Sequence, residues 1–169
     1  MNPTLDAWNS ADHDAAAASL LSCCAAQRWA ESLVALRPFA NETALFAAAD
    51  EAWSTMQVDD WMQAFRAHPR IGERKVENAT AQSKQWSAHE QSGVNQAQAE
   101  LLAELAVGNR QYEDRFGFTY IVCATGKSAE EMLKILRRRL DSDRDTELRE
   151  ATEQQRQITQ IRLRQWLQV

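Results

Sequence analysis

Apolar residues recur along this chain at three- and four-residue spacings, the period of a helix with one buried face. Leu45, Phe46, Ala49 and Trp53 form one such stripe, Trp61, Met62 and Phe65 a second, and Leu148, Ala151, Ile158 and Ile161 a third. Helix punctuation agrees with the stripes. Pro38, Pro69, Gly72, Gly93, Gly108, Gly117 and Gly126 interrupt stretches rich in Ala, Leu, Glu, Gln and Arg, the residues that cost least in a helix. The pattern predicts helices over Ala11–Ala26, Arg28–Leu36 (stopped by Pro38) and Glu42–Met56 (capped by Asn41). A short helix begins at Asp59, and others cover Ala79–Ser92 and Gln96–Phe116, the latter ending at Gly117. Ser128 and Glu131 form a capping box for Ser128–Leu140, and Asp145 is expected to cap a last helix running to the end. The one strand-like run, Phe118 to Cys123, has no partner run and cannot make a sheet alone, so it reads as a buried extended segment or a helix end. The expected fold is all-α: one irregular bundle of about eight helices, with residues 1–169 as a single domain.

Composition narrows the function classes. At 169 residues a chain buries roughly two-thirds of its unfolded surface, enough for a core and a side pocket. A net charge of −5 argues against general affinity for nucleic acid or an anionic membrane, both of which call for a basic surface. No stretch approaches the roughly 20 apolar residues needed to span a bilayer. The acidic N-terminal stretch does not read as a secretory signal, nor Trp166-Leu167-Gln168-Val169 as a peroxisomal address. The three cysteines, Cys23, Cys24 and Cys123, are an odd number without a C-x-x-C, so a reducing cytoplasm fits better than a disulfide framework or a zinc site. Cys23 and Cys24 read as small buried hydrophobes. His13 and His89 lack ligand-spaced partners, so no metal is expected. Arg137-Arg138-Arg139 reads as a solvated helix end whose cations complement the dipole.

Three places put polar residues where packing alone would not. In Ala67-His68-Pro69-Arg70-Ile71-Gly72 the proline pushes His68 out of the α region. The imidazole there is either a helix-end group favoured by the dipole or a general acid–base. In Ser87-Ala88-His89-Glu90-Gln91, positions 87, 90 and 91 share one helix face, which is either a solvated surface or a hydrogen-bonding set for a small polar ligand. Arg162 falls on the apolar stripe of the last helix, where a guanidinium needs an anion, either a protein carboxylate or a substrate carboxylate. These residues by themselves lead to a helical domain with a polar pocket and no further.

Their combination is more specific. The string from Ala67 to Gly72, then Ser87-x-x-Glu90-Gln91, then Asn109-x-x-Tyr112-x-x-Arg115-Phe116-Gly117-Phe118-x-Tyr120-Ile121-Val122, resembles the 2-oxo-4-hydroxy-4-carboxy-5-ureidoimidazoline (OHCU) decarboxylases. Arg28-Trp29-Ala30, Arg37-Pro38-Phe39 and the C-terminal Glu147, Glu150, Ile158 and Arg162-Leu163 extend the likeness over almost the whole chain. The first dozen residues match least, and Arg70-Ile71-Gly72 stands where members often carry a tripeptide such as Asp-Leu-Gly. The resemblance implies an all-helical, usually dimeric enzyme that converts the ureidoimidazoline acid to (S)-allantoin and carbon dioxide without metal or organic cofactor. It implies His68 and Glu90 as the catalytic pair. It further implies Pro69, Ser87, Gln91, Tyr120, Ile121, Val122, Cys123, Ala124 and Arg162 as substrate-binding residues. Two rivals stand beside this reading: a helical interaction module with an inactive pocket, and a different enzyme on the same scaffold, such as a hydrolase of a related ureide.

Overall fold

The computed structural model describes residues 2–71 and 99–169, and among them every regular element is a helix. In chain order these are α1 Pro3–Ser10, α2 His13–Leu21, α3 Gln27–Ala35, α4 Glu42–Ser54, α5 Val58–Arg66, α6 Ala99–Phe116, α7 Ala129–Leu140 and α8 Arg144–Trp166. The helix expected over Ala79–Ser92 and the start of the one expected from Gln96 lie outside the described residues. The chain divides into two compact units, Met1–Ala64 with Arg156–Val169, and Phe65–Gln155.

In the first unit the N-terminus departs from the sequence reading. Of the helix expected over Ala11–Ala26 only His13–Leu21 forms, as α2, and α1 precedes it over a stretch where no helix was expected. The reason is local. Asn2 accepts hydrogen bonds from the amides of Thr4 and Leu5, and Pro3 supplies the fixed φ of a first helical turn. Asp12 then caps α2 through the Ala15 amide at 2.9 Å. The Asn2 amide also donates to Glu42 Oε1 at 2.7 Å and to the Leu167 carbonyl at 2.9 Å, so one residue ties three segments together. The core holds Leu5, Leu20, Trp29, Leu33 and Leu45, all fully buried. Burying a side chain as large as Trp29 contributes roughly 1.5–3 kcal/mol, and its indole N–H is satisfied by the Ala49 carbonyl at 3.0 Å. Cys23 and Cys24 are buried free thiols, pushed up to about 12 and about 11 by burial, with Arg162 pulling both back down. They behave as apolar filler.

In the second unit α6 and α7 come so close that a β-carbon on Gly108 would stand 2.5 Å from Leu136 Cδ2. Gly117 ends α6 at φ 82°, a conformation that side chains disfavour. The capping box at Ser128 and Glu131 forms as expected. The last helix starts one residue before its expected cap: Asp143, not Asp145, accepts from the Thr146 amide at 2.8 Å. Residues 118–124 form no regular element, and Phe118 and Tyr120 to Ala124 are buried. Rings of Phe65, Tyr112, Phe116, Phe118 and Tyr120 pack at centroid distances of 4.7–6.3 Å around the start of this segment.

Beneath it lies a buried ion pair that the sequence reading misplaced. Arg139 is 2% exposed and belongs to no solvated helix end. Its guanidinium binds Glu147, the Ile121 carbonyl at 2.6 Å and the Tyr112 hydroxyl at 3.3 Å, while the Tyr112 hydroxyl donates to Glu147 Oε1. Burial, before any other influence, holds the Tyr112 hydroxyl far above its ordinary range, so it stays a neutral donor. Only Arg137 and Arg138 of the arginine run are exposed, and Arg137 pairs with Glu104.

Candidate active site

The local structure at His68 follows from Pro69. Helix α5 ends at Arg66, the His68 amide donates back to the Phe65 carbonyl at 3.1 Å, and Pro69 is buried behind it. A proline cannot continue the helix and biases the preceding residue away from it, so α5 stops short of His68. Both sides of the turn are anchored. Arg70 makes a two-pronged ion pair with Glu113 of α6, at 2.6 and 2.7 Å, and the Asn109 amide donates to the Ile71 carbonyl at 3.0 Å. A short contact joins Nε2 of the half-buried His68 ring to Oε1 of Gln155 on α8, at 2.6 Å. Gln155 is fully buried.

The neighbouring glutamine does similar work on the segment of residues 118–124. Gln154 Oε1 accepts from the Cys123 amide at 2.8 Å, and Gln154 in turn donates to Glu150 Oε1 at 3.1 Å. Two consecutive residues of α8 therefore hold the two motifs of this unit, the His-Pro turn and the run from Tyr120 to Ala124. The Tyr120 side chain is buried and turned to the protein, its hydroxyl donating to the Met132 carbonyl at 3.0 Å. The Ile121 carbonyl is taken by Arg139 and the Cys123 carbonyl by Lys127 Nζ at 2.8 Å. Three carbonyls of the run and the Cys123 amide are thus engaged by the protein, the Ala124 carbonyl accepting from the Lys127 amide at 3.0 Å.

Of the other residues expected at the site, Ser87, Glu90 and Gln91 lie outside the described residues. Arg162 is 4% exposed and belongs to the first unit, where its charge acts on Cys23 and Cys24. Gln155 was missed by the sequence reading, although a signal existed. Leu148, Ala151, Gln155, Ile158 and Arg162 continue one alternation of three- and four-residue steps. The test that singled out Arg162, a polar residue on an apolar stripe, picks Gln155 equally well.

Fold and contacts together define an all-helical protein in which a His-Pro turn is seated on a buried carboxamide. The chain belongs to the OHCU decarboxylase family, whose model matches residues 9–164. It is 33% identical over 142 residues to the uric acid degradation bifunctional protein TTL of Arabidopsis thaliana, covering 83% of this chain. It is 30% identical over 132 residues to the 2-oxo-4-hydroxy-4-carboxy-5-ureidoimidazoline decarboxylase of Amia calva, covering 78% of this chain and 75% of that one. A crystal structure of OHCU decarboxylase in the presence of (S)-allantoin superposes with a TM-score of 0.76 at 27% identity, over 88% of this chain and 96% of the other. The chain spans 44% of the length of the Arabidopsis bifunctional protein and 32% of its counterpart PucL from Bacillus subtilis.

Proposed function

We propose that this protein decarboxylates OHCU to (S)-allantoin and carbon dioxide in urate breakdown, with side chains alone supplying the chemistry. The observation that carries the reading is the family match from residue 9 to 164, within which the His-Pro imidazole sits anchored on a buried amide. The ring of the substrate brings its own electron sink. As the bond to the carboxylate carbon breaks, its pair moves toward the adjacent C=N, and carbon dioxide leaves. The ring nitrogen that receives the pair takes up one proton, a second is delivered to the ureido-bearing carbon, and the neighbouring hydroxyl gives up its own and becomes the carbonyl, for a net uptake of one proton. His68 and Glu90 handle those protons, and delivery to one face sets the S configuration.

Pro69, Ser87, Gln91, Tyr120, Ile121, Val122, Cys123, Ala124 and Arg162 make up the proposed substrate-binding set. Because the Cys123 amide is donated to Gln154, ring oxygens fall to the other N–H groups of that run. Arg162 orients the substrate rather than gripping its carboxylate, since a contact stronger in the ground state than in the transition state would slow the step. The protein works as a single-domain homodimer in the cytoplasm. No helix among the described residues is long and apolar enough to cross a membrane.

The test generates OHCU in place from urate with the two upstream enzymes and follows optical rotation. Faster appearance of (S)-allantoin than the spontaneous racemic decay supports the reading, and an unchanged trace rejects it. His68→Asn should lower kcat per folded molecule by on the order of a hundredfold or more. Undiminished turnover in that variant would remove His68 from its role.

A further inference from the structure

Gln155 has so far been given no part in the chemistry, yet it touches the residue on which the proposed function turns. We infer that Gln155 is a positioning residue that fixes His68 as the Nε2–H tautomer, so that the proton exchanged with substrate comes and goes at Nδ1. The second half of the statement rests on the proposed decarboxylase reading, and the first half stands without it.

A carboxamide oxygen accepts hydrogen bonds and donates none, so the ring nitrogen facing it carries the proton. The Nε2 to Oε1 separation of 2.6 Å lies at the short end for N–H···O, the contact that pairing makes. Gln155 is fully buried, which strengthens the bond and leaves little water to compete for the ring N–H. The two residues are 87 positions apart in sequence, so the bond forms only when α8 docks beside the His-Pro turn. In a neutral imidazole one nitrogen donates and the other accepts. With Nε2 committed as donor, Nδ1 carries the lone pair, and whatever group meets it there meets a base. Protonation at Nδ1 then makes an imidazolium whose Nε2–H bond is undisturbed, and the same ring can return that proton without turning.

The neutral anchor suits this task. A carboxylate at position 155 would orient the ring equally well but would stabilise the imidazolium strongly and make the returned proton harder to release. An amide fixes geometry while leaving the ring's charge free to change twice in each turnover.

The experiment is a long-range proton–nitrogen spectrum of the histidine rings in protein labelled with nitrogen-15 at histidine, recorded without substrate at a pH where the rings are neutral. His68→Asn assigns the signals. The inference expects a protonated, pyrrole-type Nε2 and an unprotonated, pyridine-type Nδ1 for His68. It expects Gln155→Leu to lose that preference and to lower kcat at least about tenfold, as loss of a fixed tautomer does in other histidine catalysts, with KM little changed. Gln155→Glu, an isosteric acceptor, should restore the Nε2–H signature once the pH is raised far enough to keep its ring neutral. A protonated Nδ1 in the parent protein overturns the inference, and so does an unchanged tautomer in Gln155→Leu. Should Gln155→Leu fail to fold, the parent and Gln155→Glu spectra decide. An Nε2–H signature in a protein that leaves OHCU decay unaltered would sink the decarboxylase reading and leave the role of Gln155 as anchor intact.

Discussion

Glu147 and Gln155 lie two turns apart on α8, both essentially inaccessible to water, and they serve opposite ends. Glu147 closes a cluster of full charges: its Oε1 takes the Tyr112 hydroxyl and the Arg139 guanidinium, and Arg139 spends another donor on the Ile121 carbonyl. Gln155 presents a neutral oxygen to an imidazole. The first arrangement tolerates no change of charge, because either ion left alone in the interior carries a large desolvation cost. The second holds a ring that changes its charge in the decarboxylation proposed above. The difference shows why buried ionic groups and buried acid–base groups need different partners. An ion pair locks, whereas an amide aims.

The largest expected effect breaks the closed cluster. Glu147→Gln leaves the Arg139 guanidinium buried without a counter-charge, which should destabilise the fold by about 3–5 kcal/mol. Urea unfolding followed by tryptophan fluorescence reads this directly. Turnover per folded molecule should fall far less than in His68→Asn. If the two variants lost stability and activity in the same proportion, the division between a locking cluster and a working one would fail.

Much of the helical scaffold was legible because local signals and tertiary packing agree there. Asn41, Gly117 and the Ser128–Glu131 box act as their sequence contexts imply. The errors share one cause, which is reading residues by neighbourhood along the chain instead of by face around the helix. Arg137, Arg138 and Arg139 were treated as one block, yet successive residues point 100° apart, so they cannot share one environment. Arg139 follows Met132 and Leu136 on the buried face of α7, while Arg137 and Arg138 meet solvent. Gln155 drew no attention either, although it falls on the same three- and four-residue alternation as Ala151, Ile158 and Arg162. The Glu147 and Gln155 partnerships themselves could not be read ahead of the fold, since they join residues 35 and 87 positions apart.

A smaller effect sharpens the comparison from inside the cluster. Tyr112→Phe removes the hydroxyl that donates to Glu147 but leaves the ion pair with Arg139 in place. One neutral donor is lost while the charges stay balanced, so the cost should be about 1–2 kcal/mol, read from the shift in urea midpoint. A loss as large as that of Glu147→Gln would mean that the phenol, and not the charge balance, holds the cluster together.

The smallest expected effect tests whether the two sites on α8 are separable along the helix. Asp143 caps the first turn through the amide and hydroxyl of Thr146, each at 2.8 Å, and these bonds hold its carboxyl below the usual carboxylate range. A group whose folded pKa is depressed adds stability above its unfolded pKa, and that stability is lost as pH falls through the folded value. The cap should therefore contribute fully at neutral pH and fade in the acid range below ordinary aspartate titration. Asp143→Ser keeps an oxygen for the Thr146 amide without the charge, so its unfolding temperature should approach that of the parent protein as the pH drops. Glu147 sits one turn from this cap and Gln155 three, so fraying should reach the ionic cluster first. The Nε2–H signature of His68 should accordingly survive Asp143→Ser unchanged, and its loss would show that α8 transmits disorder along its length rather than carrying two independent sites.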